Sequence, residues 1–285
     1  MKKLFLLLCT SVFAFANINV VVSILPLEYF VTKIGGDKVN ISTMVQPGNS
    51  PHTYEPKPSQ MKDITHADIY FKIGIEFEKA WLSKFIDLNK NMLMVDSSKG
   101  IKRIPLGEHS HGDEDGDKAH EHEDGLDPHV WLSPKNGKII AQNIYEAFIK
   151  VDEKNKDYYR INYHHLLKEI AELDKQINDI LLKSDDMAKF MVFHPSWGYF
   201  AKQYRLTQVA IEANGKEPKP KQIKEIIKAT KKDYIEVIIT APEFSDKVAN
   251  SIAKESGVNV VKISPLSKNW DENLLKFARA VAKQN

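Results

Sequence analysis

The chain has 285 residues, 42% hydrophobic and 27% charged, which is enough for one large globular domain or two ordinary ones and too apolar for a disordered chain. Forty Lys and Arg stand against 38 Asp and Glu, so no basic excess argues for nucleic acid as a partner, and neither a collagen repeat nor a coiled-coil composition is present. Lys2 and Lys3 fall in a segment expected to be removed, which leaves the mature chain neutral overall.

That segment is residues 1–16. Met1-Lys2-Lys3, an apolar run from Leu4 to Phe15, and Ala14-Phe15-Ala16 before Asn17 follow the order of a cleavable secretory signal peptide. The run is shorter than the ~20 apolar residues of a bilayer span, so export is expected rather than anchoring. Cys9, the only cysteine, lies inside the run behind bulky Leu8, which argues against lipid attachment there. The mature chain is then free of cysteine, and neither disulfides nor thiolate metal sites are open to it.

A β-branched run, Asn19–Leu25, predicts a first strand ending at Pro26, followed by helical spacing over Leu27–Ile34. Val39–Val45 reads as a second strand, and Ser50–Pro58 is a polar, Pro-rich connection to a short helix over Ser59–His66. Strands at Ile69–Ile73 and Met92–Val95 flank a helix at Phe77–Leu88. Alternation of this kind predicts a parallel sheet with helices on its faces.

From Glu108 to Asp124 the composition changes to four His, eight Asp or Glu, one Lys and nothing apolar larger than Ala, the signature of a mobile loop. Ser133-Pro134 supplies an N-cap and an N1 proline for a helix to about Lys150. A longer helix is predicted from Asp157 to about Lys183, with Ile161, Leu166, Leu167, Ile170, Leu173, Ile177 and Ile180 on one recurring face. At ~1.5 Å per residue it reaches roughly 40 Å and would act as a strut.

The opening pattern then repeats: strands at Lys189–Phe193, Gln208–Ala213, Val237–Thr240 and Asn259–Ile263, with helices at Trp197–Tyr204, Pro220–Lys231, Ser245–Ser256 and Asp271–Ala282. The expected fold is α/β with two similar lobes, each a roughly four-stranded parallel sheet flanked by helices. The lobes would be residues 17–155 and 186–285, joined by one rigid helix at 156–185. Ligands of open parallel sheets bind beyond the carboxyl ends of the strands, so two such sheets can enclose a cleft between them.

Three histidines fall where that cleft would be: His52 after the second strand, His129 just before the Ser133 cap, and His194 directly after the Lys189–Phe193 strand. Separations of 77 and 65 residues exclude a local zinc finger, so any site must be assembled by the fold. A single loop histidine is most simply an ordinary hydrogen-bonded side chain. Three flanked by Pro51, Pro128 and Pro195 are different, because stiff backbone lowers the entropy cost of placing each imidazole. Neutral imidazole suits zinc, and three His with one open position is a known tetrahedral arrangement. Asp127 is placed either to orient an imidazole through its second nitrogen or to cap the local turn.

Pro51-His52-Thr53-Tyr54-Glu55-Pro56, Asp127-Pro128-His129-Val130-Trp131-Leu132-Ser133-Pro134 and Phe193-His194-Pro195-Ser196-Trp197-Gly198 occur in this order, and together with the strut helix they span nearly the whole mature chain. In this the chain resembles the metal-binding extracytoplasmic solute receptors of ABC importers for zinc and manganese, in particular a periplasmic zinc-binding protein. The resemblance implies zinc held between two lobes by His52, His129 and His194, in a periplasmic monomer that delivers it to an ABC permease. Two positions depart from the pattern: an Asp is replaced by Ser264 in Ser264-Pro265-Leu266, and a Glu by Ala241 ahead of Pro242-Glu243-Phe244. The fourth position is therefore open between water, Ser264 and Glu243. Three imidazoles kept with a hard carboxylate lost favour zinc over manganese.

His109, His111, His120 and His122 resemble the His-rich loop of zinc members and imply a weaker accessory site. His66 reads as a helix C-terminal residue, His164-His165 as strut residues with at least one facing solvent, and the seven Lys of Lys216–Lys232 as a solvated face. Trp131, Trp197, Tyr199 and Phe200 are expected to pack around the ligands. A zinc hydrolase is the competing enzymatic reading, but neither a His-Glu-x-x-His motif nor a nucleophile elbow is present. An adhesin or a metal buffer is the remaining class.

Overall fold

A computed structural model of the chain describes residues 17–106, 125–182, 188–212, 217–235 and 237–282. The expected signal segment and the His-rich loop with His109, His111, His120 and His122 lie outside the described residues.

The first half runs β1 (Ile18–Ile24), α1 (Leu25–Gly35), β2 (Val39–Val45), α2 (Pro58–His66), β3 (Ile69–Lys72), α3 (Glu76–Leu88), β4 (Leu93–Asp96) and α4 (Pro134–Val151). After α5 (Lys156–Leu181) come β5 (Lys189–Val192), α6 (Gly198–Gln203), β6 (Thr207–Ala210), α7 (Pro220–Lys232), β7 (Val237–Thr240), α8 (Lys247–Ser256), β8 (Asn259–Lys262) and α9 (Trp270–Val281). The strands form two four-stranded parallel sheets with the same order, β2-β1-β3-β4 and β6-β5-β7-β8. Both sheets thus switch direction of winding beside their first strand, where the carboxyl ends leave a crevice.

The central strands are mostly apolar because helices cover both faces: β1 is almost entirely buried and every residue of β7 is. Pro26 stands just past the end of β1, close to where the strand was expected to stop. It lies in the first turn of α1, where its missing N–H has no helical partner to lose. Ser133 caps α4 as predicted, its Oγ accepting from the Asn136 N–H at 3.3 Å. The edge strand β6 differs more: it stops at Ala210 rather than Ala213, after which Ile211 packs into the core of the second half and Glu212 meets His194.

The strut helix α5 packs against α1, α4 and α9, so it touches both halves. Its buried face is Tyr159, Leu166, Ile170, Leu173 and Ile177. Ile161 is 55% exposed, and both His164 and His165 face solvent. One apolar core extends from β1 and β3 through α1, α4 and α5 to Trp197, Phe200, Trp270 and Phe277. A second, smaller cluster fills the space between the other face of the second sheet and α7 and α8. The two halves are bolted together by Trp131, whose Nε1 donates to the Pro265 carbonyl at 2.8 Å while its own carbonyl accepts from Trp270 Nε1 at 2.6 Å. Lys268 reaches across to Glu28 at 2.6 Å, and the Tyr29 hydroxyl donates to Asp271 at 3.1 Å.

Candidate metal centre

An open cleft of about 880 Å³ lies between the sheets and is lined by His52, His129, His194, Trp131, Glu243 and Phe244, among others. The ring centroids of His52 and His194 are 5.5 Å apart, and those of His129 and His194 are 5.1 Å apart. Residues separated by 77 and 65 positions in the chain therefore converge on one point of the fold. Among the described residues, no three His, Cys, Asp or Glu donors already form a ready-made metal site.

Each imidazole is held the same way. His52 Nδ1 is 2.7 Å from Glu76 Oε2, His129 Nδ1 is 2.7 Å from Asp127 Oδ1, and His194 Nδ1 is 2.6 Å from Glu212 Oε1. A carboxylate can only accept, so each neutral ring carries its proton on Nδ1 and presents Nε2 as a lone pair. Among the described residues none of the three Nε2 atoms has a hydrogen-bond partner, and that of His194 is fully buried. A buried acceptor without a donor is costly, which makes His194 Nε2 a group awaiting a ligand.

The supports are built by the fold. Both alternatives for Asp127 hold at once, since its Oδ1 accepts from the His129 backbone N–H at 2.8 Å as well as from the ring. Gly198 allows that close approach, because a Cβ there would stand 2.6 Å from Asp127 Oδ2. Glu76 opens α3, just beyond a turn in which Gly74 has φ +87°. The turn is pinned by Glu78, which is 2% exposed and accepts from Ser23 Oγ at 2.6 Å and from the Ile73 and Gly74 N–H groups at 2.7 Å each. Burial raises the Glu78 carboxyl above its ordinary value, and these three donors oppose the shift only in part.

Glu76 and Glu212 were not anticipated from sequence. No spacing in the sequence marks Glu212: it is the parallel pairing of β5 and β6, with Val192 opposite Ala210, that sets His194 beside Glu212 two residues further on. Of the two oxygen donors considered for the fourth position, Glu243 lines the cleft, and Ser264 stands behind it with its hydroxyl on Glu243 Oε1.

The aromatic expectations divide. Trp131 meets His129 edge-on at 5.4 Å, and the Tyr199 hydroxyl donates to the Asp127 carbonyl at 3.0 Å, so both buttress the site. Trp197 and Phe200 instead pack on Phe277 in the core, the Trp197 ring stacking at 3.6 Å. His66 ends α2 with Nδ1 3.0 Å from the Lys62 carbonyl oxygen. The lysines of α7 are exposed, and Lys216 lies outside the described residues.

This architecture matches solved structures over almost its whole length. A crystal structure of ZnuA superimposes with a TM-score of 0.84 at 37% identity, covering 94% of this chain and 98% of that one. A ZnuA deletion mutant with zinc bound gives 0.83 at 36% identity, covering 94% and 98%. The zinc-binding protein AdcA of Streptococcus pyogenes serotype M3 is 32% identical over 271 residues, which is 90% of this chain and 52% of the relative, so the chain spans about half that protein's length. The family model for ZnuA, the periplasmic component A of the zinc-uptake complex, matches residues 20–284, and the chain belongs to that family.

Proposed function

We propose that this protein is an extracytoplasmic, high-affinity zinc receptor that captures Zn²⁺ in the cleft through His52, His129 and His194 and delivers it to an ABC-type permease. The observation that carries the reading is the set of three carboxylate-fixed imidazoles, each with Nε2 free, drawn from three distant segments to one cleft. A zinc–nitrogen bond of ~2.0–2.1 Å puts each ring centroid about 3.2 Å from the metal, so tetrahedral ligation separates centroids by about 5.2 Å. The observed 5.1 and 5.5 Å suit that requirement. Carboxylates behind imidazoles raise ligand basicity and fix the tautomer, the usual support of a zinc site.

The nitrogen-rich donor set favours zinc over manganese, which prefers oxygen. Membership of the ZnuA family, whose description is a component of an uptake complex, supports a carrier rather than a hydrolase. Export places the site outside the cytoplasmic membrane, where the protein works as a monomer. No helix among the described residues is long and apolar enough to cross a membrane. Residues 108–124 add a weaker accessory site through His109, His111, His120 and His122, which raises the chance of zinc capture without setting the affinity.

The test is zinc titration of the mature protein against a competing chelator, with manganese as rival, for the wild type and for His52→Ala, His129→Ala and His194→Ala. Nanomolar affinity corresponds to about −12 kcal/mol. One tight equivalent that manganese does not displace, lost in each variant, is the expected result. Tight zinc binding that survives His194→Ala overturns the proposal. Impaired growth of a strain lacking the protein, only when zinc is scarce, distinguishes uptake from adhesion or storage.

A further inference from the structure

We infer that Glu243 is the fourth zinc donor and that Ser264 is its positioning residue; the inference rests on the three-histidine reading of the cleft and adds a carboxylate to it. The carboxyl ends of three neighbouring strands bring the groups together. His194 follows β5, Glu243 follows β7 and Ser264 follows β8, with β5 paired to β7 and β7 to β8 in parallel register. Phe244, next to Glu243, lies over the His194 ring at 5.0 Å and 28°, which fixes the segment against the imidazole.

Two polar atoms that line this part of the cleft are buried and without partners among the described residues: His194 Nε2 and Glu243 Oε2. The other carboxylate oxygen is not free. Ser264 Oγ donates to Glu243 Oε1 at 2.5 Å and itself accepts from the Leu266 N–H at 3.0 Å. The serine's single proton is thus committed to the carboxylate, and its backbone carbonyl is tied to Asn273 Nδ2 at 2.9 Å. Ser264 is accordingly a clamp, and the oxygen left to meet a cation is Glu243 Oε2.

Physical chemistry favours the same assignment. A buried carboxylate oxygen without a donor is unfavourable in the metal-free protein and is relieved when a divalent cation arrives. A site of three neutral imidazoles and one carboxylate leaves a net charge of +1 on the zinc centre, easier to bury than +2.

The experiment measures zinc affinity, the visible spectrum of the cobalt(II)-loaded protein and the melting temperature of the metal-free protein for wild type, Glu243→Gln and Ser264→Ala. Losing a group that supports a metal ligand costs about 10–100-fold in affinity, so about tenfold is expected for Ser264→Ala and a larger loss for Glu243→Gln, which removes the donor itself. The cobalt bands should shift in Glu243→Gln, while its metal-free form melts no lower than the wild type because a buried charge has been removed. Zinc affinity within twofold of wild type in Glu243→Gln overturns the inference, and so does a loss of affinity with unchanged cobalt bands. If Glu243→Gln is itself unstable, Ser264→Ala decides: unchanged affinity and spectrum overturn the assignment. Retained zinc binding in the histidine variants would instead refute the underlying site, so the two failures are distinguishable.

Discussion

His194 and Glu212 stand abreast at the carboxyl ends of neighbouring parallel strands, Nδ1 to Oε1 at 2.6 Å, in a position where both side chains are at most one-tenth exposed. The pair shows how the sheet register, rather than any local motif, orients an imidazole. Replacing Glu212 by Ala frees the ring and its tautomer, and zinc affinity is expected to fall about 10–100-fold. Chelator competition measures it; an unchanged dissociation constant would show that the carboxylate does not tune the imidazole.

Gly198 touches the same machinery from behind. A methyl group at this position lands 2.6 Å from Asp127 Oδ2, closer than a Cβ contact can be, so Gly198→Ala must displace the carboxylate that holds His129. The expected outcome is zinc binding weakened by roughly tenfold. Titration beside a thermal melt checks it, and the idea fails if affinity is preserved in a folded variant.

Glu78 lends itself to a pH test. Its carboxyl is raised by burial, so the folded protein binds that proton more tightly than the unfolded chain does. Stability from this group is therefore fullest below the ordinary carboxylate range and declines as pH rises toward the raised value. Glu78→Gln sets an amide NH₂ against the Ile73 or Gly74 N–H and costs about 1–3 kcal/mol at low pH. Denaturant melts should show that cost shrinking as pH rises through the interval; a cost that grows with pH would mean that the buried carboxyl is lowered instead of raised.

Deleting residues 108–124 is expected to remove weak zinc equivalents and leave one tight equivalent intact. Calorimetric stoichiometry before and after deletion reads both. Loss of the tight equivalent with the loop would place the principal site there, and the three cleft histidines would no longer be its ligands.

The alternation of strands and helices, the Ser133 cap, the strut and the three histidines were all legible in the chain of letters, because each has a short-range cause: side-chain periodicity, a capping hydroxyl, proline-stiffened loops. Expectation and structure part where tertiary contact outweighs local preference. β6 ends at Ala210 and leaves Glu212 beside His194, and Trp197 and Phe200 serve the core around Phe277 rather than the cleft. The Asp127 support of His129 was among the readings the sequence offered, but that Glu76 and Glu212 each hold an imidazole, and that Ser264 grips Glu243, emerges only once the chain is folded. Apart from Asp127 and His129, two residues apart, those partners come from different elements. Their hydrogen bonds exist because two parallel sheets set strand ends side by side, a proximity that no spacing along the chain encodes.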